Sequence, residues 1–420
     1  MRWVLFSDNI IMNFGAAVFF VLFCFLLFLF VMFIASLFVR ERKAKPFLPN
    51  ISVVIPAYNE EDAIIQCLDA TNASSYPTEK REIIVVDDAS TDRTVALVEG
   101  YRRTHTGITL IRAKHQGKVG ALNLGVRKAR HDFILSLDAD ATVGKHTIRD
   151  LVAPLRDPAV GAANCIAAIR SPTSLLEHFQ SIEFFLNNII RTSFSKLFKN
   201  SIWFFGVAAC YRRSALRKIG GFKKDTLTED MDCSLELFNA DYRIVTVKDA
   251  MIRTKPCSTV KSLFSQRMRW YYGALQALAK NRKRAKPSVP VAFIYFNQWW
   301  WTFFSFAFFP LVAYQVRYWL PQGVKDIALY LFRWFTLVGP FYVLYKIPVW
   351  GISALNIFGV LSGIITLVLS LSAFAMFHEK VRPMTLVALF FYFPYTMLLN
   401  AILLVGVFRY RFSRKKYFIS

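Results

Sequence analysis

Cysteine is scarce and unpatterned in this 420-residue chain. Cys24, Cys67, Cys165, Cys210, Cys233 and Cys257 form no C-x-x-C pair and have no histidine at ligand spacing, so neither a zinc site nor a disulfide framework is indicated. Glycine-rich phosphate loops are missing too. Gly117-Lys118 looks like the end of a P-loop, but the first glycine of that motif would stand where the chain has Arg112. No Gly-x-Gly-x-x-Gly follows the first strand-like run, which removes the support for a nicotinamide or flavin site. Acidic residues are few, 28 Asp and Glu against 52 Lys and Arg, for a formal charge of +24. The bases gather beside apolar segments, at Arg40–Lys45, Lys280–Lys286 and Arg409–Lys416. No basic stripe interleaved with aromatics accompanies them, which argues against nucleic acid and for the anionic headgroups of a lipid bilayer as partner.

What is abundant is apolar surface: 55% of the residues are hydrophobic and 16% aromatic. Ile10–Val39 carries no charge and exceeds the ~20 residues that a helix needs to cross hydrocarbon. It is too long for the apolar region of a cleaved signal peptide and ends in a basic cluster, which predicts a spanning helix with a cytosolic C-terminal flank. Further spans are expected near Val291–Val316, Ile327–Leu344, Ile352–Phe377 and Met384–Phe408. An even number of them returns the basic tail to the side of the domain between, and places His378–Arg382 on the opposite side. Arg333 would then line a passage or snorkel to the interface. The expected organisation is a membrane region over 1–45, a cytosolic domain over 46–286 and a second membrane region over 287–420. The whole is a multi-pass protein of the plasma (inner) membrane.

Between the membrane regions, short β-rich runs alternate with longer amphipathic ones, the pattern of an α/β fold with parallel strands. Strands are expected at Ile51–Ile55, Glu82–Val86, Ile108–Ile111 and Phe133–Leu137. Ligands of such sheets bind beyond the carboxyl ends of the strands. Two of those ends carry paired carboxylates, Asp87-Asp88 and Asp138-Ala139-Asp140. Such pairs repel unless a hard divalent cation, Mg²⁺ or Mn²⁺, relieves them while binding a diphosphate. Ordinary turn chemistry is the competing explanation for either pair alone.

A third cluster, Thr228-Glu229-Asp230-Met231-Asp232, opens a helical pattern. Thr228 as an N-cap and the acids as partners of the helix dipole account for it; so does a general base for a hydroxyl nucleophile. In Gln266-Arg267-Met268-Arg269-Trp270, Gln266, Arg269 and Trp270 fall at i, i+3 and i+4 and share one helix face. An amide and a guanidinium suit a pyrophosphate, and an indole suits the flat face of a sugar. A basic helix lying on the membrane surface is the alternative.

Together, Val86-Asp87-Asp88-Ala89-Ser90, Asp138-Ala139-Asp140, Thr228-Glu229-Asp230 and Gln266-x-x-Arg269-Trp270 resemble the motifs of the processive family 2 glycosyltransferases, in order and spacing. The resemblance covers about Ile51 to Gly273 plus the flanking spans, and within the family it is strongest to the poly-β-1,6-N-acetylglucosamine synthases; hyaluronan, chitin and cellulose synthases are related. It implies an α/β GT-A (nucleotide-diphospho-sugar transferase) domain inserted between transmembrane α-helices. It also implies residue roles. Pro56, Tyr58 and Glu60 would line the nucleotide-base pocket, and Lys118 the donor loop. Asp88 and Asp140 would lie near metal and diphosphate, with Asp138 on the nucleotide and beside the metal. Asp230 would be the catalytic base, next to Glu229. Gln266 and Arg269 would hold the pyrophosphate, Trp270 would stack under the acceptor, and Phe205 and Gly206 would lie near the acceptor terminus. The implied reaction is inverting polymerisation of a β-linked polysaccharide from a UDP-sugar, UDP-GlcNAc first among them, with Mg²⁺ or Mn²⁺. The growing polysaccharide is the acceptor, and a small accessory membrane or export subunit is a further partner the resemblance leaves room for. Two rivals stand beside it: an enzyme that loads one sugar onto a lipid phosphate, and a catalytically silent membrane scaffold.

Overall fold

The computed structural model describes residues 9–40, 47–201, 206–319, 336–350 and 352–412. Phe205 and Arg333 lie outside the described residues. Helix α1 (Ile10–Phe38) is capped by Asn9, whose side chain accepts from the N–H of Ile11. The α/β domain follows, as β1 (Ile51–Ala57), α2 (Ile64–Asn72), β2 (Arg81–Asp87), α3 (Thr94–Thr104), β3 (Ile108–Arg112), α4 (Gly117–Lys128) and β4 (Phe133–Leu137). It continues through β5 (Thr142–Val143), α5 (Thr147–Val152), β6 (Val160–Ile169), α6 (Leu175–Phe198), β7 (Ala208–Arg212), α7 (Arg213–Ile219), α8 (Glu229–Asn239), β8 (Arg243–Thr254) and α9 (Val260–Asn281). The chain then runs through α10 (Val289–Trp319), α11 (Gly339–Trp350), α12 (Ala354–Met376), α13 (Pro383–Phe390) and α14 (Tyr392–Phe412).

The eight strands form one mixed sheet in the order β3-β2-β1-β4-β7-β6-β8-β5. The first four are parallel, as the alternation of strands and amphipathic segments predicts. Every residue of β1 and β2 is buried, because crossover helices cover both faces of a parallel sheet. Pro56 is tolerated in β1 because the pairing with β4 has ended at Val54, so its missing N–H falls beyond that ladder. All four anticipated strands are present, one or two residues longer at most.

Helix α6 joins the domain to the membrane region. A capping box starts it: Ser174 accepts from the Glu177 N–H, and Glu177 accepts from the Ser174 N–H, a device that contributes about 1 kcal/mol. Further along α6, Ser193 Oγ lies 3.2 Å from Ser36 Oγ near the end of α1. Helix α1 also packs along α12, with Phe20 and Phe358 edge to face at 4.9 Å. Helices α1, α12 and α14 are long and apolar enough to cross a membrane.

Two expectations about the C-terminal region change. The anticipated span Met384–Phe408 is two helices, α13 and α14, broken at Phe391. Pro394 is the cause: without an N–H it cannot bond the carbonyl of Phe390, and that carbonyl instead accepts from the N–H of Leu337 at 3.0 Å. The segment His378–Arg382, expected on the far side, packs on the α/β domain. Glu379 pairs with Arg253 of β8, and Thr385 Oγ1 lies 3.0 Å from His178 Nδ1 of α6. The anticipated span Ile327–Leu344 lies largely outside the described residues. This docking predicts that Lys380→Cys and Lys283→Cys, both at exposed positions, react with a membrane-impermeant maleimide from the same side of oriented vesicles. Labelling from opposite sides would contradict it.

Candidate active site

The two acidic strand ends do different work. After β2, the Asp88 carboxylate accepts from the backbone N–H groups of Gln116 and Gly117 at 2.7 and 2.8 Å, and His115 Nδ1 lies 2.9 Å from it. Asp88 is buried and both of its oxygens hold the loop 115–117 against the sheet. The turn that places it is strained: Ala89 sits at φ 66°, where a β-carbon costs about 1–2 kcal/mol. The ring of His115 lies 4.9 Å from that of Tyr58, and Tyr58 is exposed at the mouth of this loop.

After β4, the carboxylates face a cavity. It has a volume of about 930 Å³ and is bordered by Asp138, Asp140, Lys118, Glu229 and Asp230. Gly206, Gln266, Arg269 and Trp270 complete this end of it. Three of the four anticipated motifs thus meet at one place, together with Lys118 and Gly206, whereas Asp88, Pro56, Tyr58 and Glu60 do not border it.

Lys118, on the first turn of α4, ties the cluster together. Its Nζ lies 2.7 Å from Asp138 and 3.0 Å from Glu229. Burial opposes its charge, but Asp138 and then Glu229 outweigh that and hold the ammonium above its usual pKa. Glu229 stays below the usual carboxylate value because Lys118 more than offsets its burial. For Asp230, burial and the adjacent Glu229 charge outweigh the pull of Lys118 and push it up to about 6. Asp138 is likewise pushed up to about 6, by burial despite Lys118 and with Asp140 adding to the rise. Burial, Asp140 and Asp138 push Glu60 up to about 7. Glu60 is therefore electrostatically part of the cluster, although it lies behind it.

These carboxylates crowd more negative charge than Lys118 can neutralise, which is the situation a divalent cation relieves. Among the described residues no three His, Cys, Asp or Glu side chains form a closed metal cage. Two aspartates completed by diphosphate oxygens are a common ligand set for Mg²⁺ or Mn²⁺, and Asp138 and Asp140 fit that description.

Helix α8 brings Glu229 and Asp230 into its first turn, but Thr228 makes no side-chain capping bond, so the capping explanation of this cluster does not hold. The helix is fixed from the other side. Lys280 of α9 reaches Asp232 at 2.6 Å, and Asn281 Nδ2 donates to Asp232 at 2.9 Å. Helices α8 and α9 approach closely enough that a β-carbon on Gly273 would lie 2.4 Å from Thr228 Cγ2. Gly206 is subject to the same restriction: a β-carbon there would lie 2.6 Å from Asp230 Oδ2.

Helix α9 carries Gln266, Arg269 and Trp270 to the cavity as anticipated, after a capping box at Thr259 and Ser262. Sequence reasoning passed over Arg267. Its guanidinium pairs with Glu183 of α6 at 2.6 Å and sits 4.3 Å above the Trp270 ring. The available signal was Glu183 itself, a carboxylate placed between Ile182 and the apolar Phe184-Phe185-Leu186.

A GT-A sheet with an Asp-x-Asp at a strand end, a buried carboxylate on a facing helix and a Gln-x-x-Arg-Trp face defines the class of sugar-nucleotide transferases. The chain belongs to glycosyltransferase like family 2, whose model matches residues 49–273. It is 31% identical over 237 residues to a poly-beta-1,6-N-acetyl-D-glucosamine synthase of Staphylococcus aureus (strain MSSA476), covering 56% of this chain and 57% of that relative. A synthase of the same name from Staphylococcus epidermidis is 28% identical over 234 residues, 55% of this chain and 56% of the relative. The matches thus span little more than half the length of these relatives. Among solved structures, the mannosyltransferase PcManGT from Pyrobaculum calidifontis, in complex with GDP-Man and Mn²⁺, superposes with a TM-score of 0.62 at 24% identity. That match covers 85% of this chain and 99% of that one, and shows the fold.

The Gly206 contact makes a prediction. Gly206→Ala should displace Asp230 and lower kcat by about 10²-fold, the usual effect of a misplacement near 1 Å, with little change in Tm. An unchanged kcat would show that the loop has room to retreat.

Proposed function

We propose that the protein is an inverting, processive glycosyltransferase. It polymerises a β-linked polysaccharide from a UDP-sugar, UDP-GlcNAc in the first place, on the cytosolic side of the plasma (inner) membrane. The product enters the membrane region as it grows. The observation that carries this reading is the extent of the cavity. From Asp230 it continues between the membrane helices and is lined by α1 from Leu29 back to Ile11. That length of helix is about 27 Å at 1.5 Å per residue, close to the ~30 Å thickness of the hydrocarbon core. Polar side chains recur along it, among them Asn297, Gln298, Asn356, Thr396 and Asn400. Polar groups on spanning helices are costly unless they face a polar path.

In this reading the acceptor sugar stacks on Trp270 and its hydroxyl gives its proton to Asp230 as the oxygen attacks the anomeric carbon of the donor. The bond to the diphosphate breaks with its electrons, the configuration inverts, and Arg269 and Gln266 hold the departing UDP. Lys118 keeps Asp138 and Glu229 in place and offsets part of their charge. A Mg²⁺ or Mn²⁺ ion held by Asp138 and Asp140 would supply charge neutralisation on the diphosphate when bound. Asp88, Tyr58 and Pro56 shape the nucleotide side, Asp88 by fixing the donor loop. Phe205, beside Gly206, would belong to the acceptor side. An accessory membrane or export subunit remains a proposed partner.

A second reading has its own observation. The α1 wall of the cavity is apolar, with Phe19, Leu22, Phe25 and Leu26 facing it, and such a wall suits the hydrocarbon chain of a lipid phosphate that receives one sugar.

The deciding measurement is UDP release by the purified full-length protein with Mg²⁺ or Mn²⁺ across UDP-GlcNAc, UDP-Glc, UDP-GlcA and GDP-Man. The polymerase reading expects one donor to give a high-molecular-weight product, and Asp230→Asn to lower turnover by about 10³-fold. Chelation by EDTA should abolish it and Mn²⁺ or Mg²⁺ restore it. Transfer of one sugar, dependent on added lipid phosphate, selects the second reading.

The pH profile is a separate test. A general base works ionised, and Asp230 is held up at about 6. The free-enzyme kcat/KM should therefore level off above pH 6 and fall about tenfold per unit below it. A profile flat down to pH 4.5 would remove Asp230 as the base.

A further inference from the structure

Arg267 lies one residue from Gln266 and three from Trp270, and at the border of the cavity its side chain enters a junction of three helices. Its guanidinium is 8% exposed and pairs with Glu183 of α6, itself 15% exposed. The hydroxyl of Tyr395, on the membrane helix α14, donates to the same Glu183 oxygen. Tyr395 is held in turn by the ring of Phe179, stacked 5.2 Å away at 13°. From this anchor Arg267 reaches the Gln266–Trp270 face of α9 twice: Nη1 donates to Gln266 Oε1, and the guanidinium carbon lies over the Trp270 indole, 4.3 Å from its centroid. Phe184, next to Glu183 in the chain, lies 6.4 Å from the same indole at an interplanar angle of 29°.

We propose that Arg267, braced by Glu183 and Tyr395, is a positioning residue that fixes the Trp270 platform and the Gln266 amide relative to α14. The acceptor end of the active site and the start of the membrane cavity thereby keep one register. This deepens the polymerase reading and rests on it. Buried ion pairs are weak sources of net stability, because their desolvation costs about as much as their attraction returns. What such a pair supplies is direction. A planar fork can hold a carboxylate at one edge and stack on an indole with its face, which the point charge of a lysine cannot do. Helix α14 lines the cavity through Tyr392, Phe393, Thr396 and Asn400, so Tyr395 joins the wall of the path to the residues that seat the sugar at its mouth.

The test uses the full-length protein in detergent with UDP-GlcNAc labelled in the sugar, reading UDP released, sugar incorporated and the donor KM. Arg267→Lys keeps the charge and loses the fork; Tyr395→Phe removes one hydroxyl and keeps the stack on Phe179. Both should leave the donor KM within about twofold and lower incorporation about tenfold, the scale of a misplaced group. The ratio of UDP released to sugar incorporated should rise at least about threefold as water takes the place of the poorly seated acceptor. A ratio equal to wild type overturns the inference, whether activity is retained or both readouts fall together as in a merely destabilised protein. A wild-type protein that releases no UDP from any donor overturns the polymerase reading and this inference with it.

Discussion

The bond from Lys118 to Asp138 and Glu229 is the contact on which the site depends. Those two carboxylates come from opposite sides of the domain, one from the end of a central strand and the other from the first turn of α8. Without a cation between them they would repel, and that repulsion would work against the apolar packing of Cys233 and Leu237 that lays α8 on the sheet. Lys118 itself is placed by Asp88, which grips the two residues before it through their backbone N–H groups. One acidic strand end thus orients the cation that the other strand end requires. At Asp230, burial and the adjacent Glu229 charge outweigh that cation and raise the proton affinity, as the proposed base requires.

A second set of contacts fixes α8 to α9. Lys280 and Asn281 hold Asp232, and the absence of a side chain at Gly273 lets the helices touch. Asp230 and the Gln-x-x-Arg-Trp face are therefore carried on two helices fixed to each other. Arg267 and Glu183 extend that body to α6, and Tyr395 extends it to α14. Domain and membrane region are joined by polar and charged contacts as well as by the apolar packing around them, and the cavity follows this joint.

Much of this was legible in the sequence. The strands announce themselves as short Ile/Val runs, and the rule that open α/β sheets bind ligands at strand ends singles out Asp138 and Asp140. Helical spacing alone places Gln266, Arg269 and Trp270 on one face. What the sequence did not disclose are contacts made by distant segments. Asp88 carries the same motif signature as a diphosphate-binding residue, and its oxygens also hold a loop 28 residues later, which spacing cannot show. The need for glycine at 206 exists because Asp230 arrives beside it. The fate of His378–Arg382 was misjudged because hydropathy counts crossings, whereas an ion pair between Glu379 and Arg253 decides where that loop rests. Pro394 was visible, but its effect depends on Leu337 being near enough to take over the freed carbonyl.

The shared phenol of Tyr395 has a practical corollary for anyone wishing to isolate the catalytic domain. A fragment ending before α10 would retain every residue proposed to handle the sugar nucleotide, and would look complete by motif. It would also strip the lid from a buried acid and base, letting water into the junction beneath Trp270. Under the proposed function, such a fragment would be a sound scaffold for donor-binding studies and a poor surrogate for chain extension, because Tyr395, which braces the Trp270 platform in that proposal, belongs to the membrane half of the molecule.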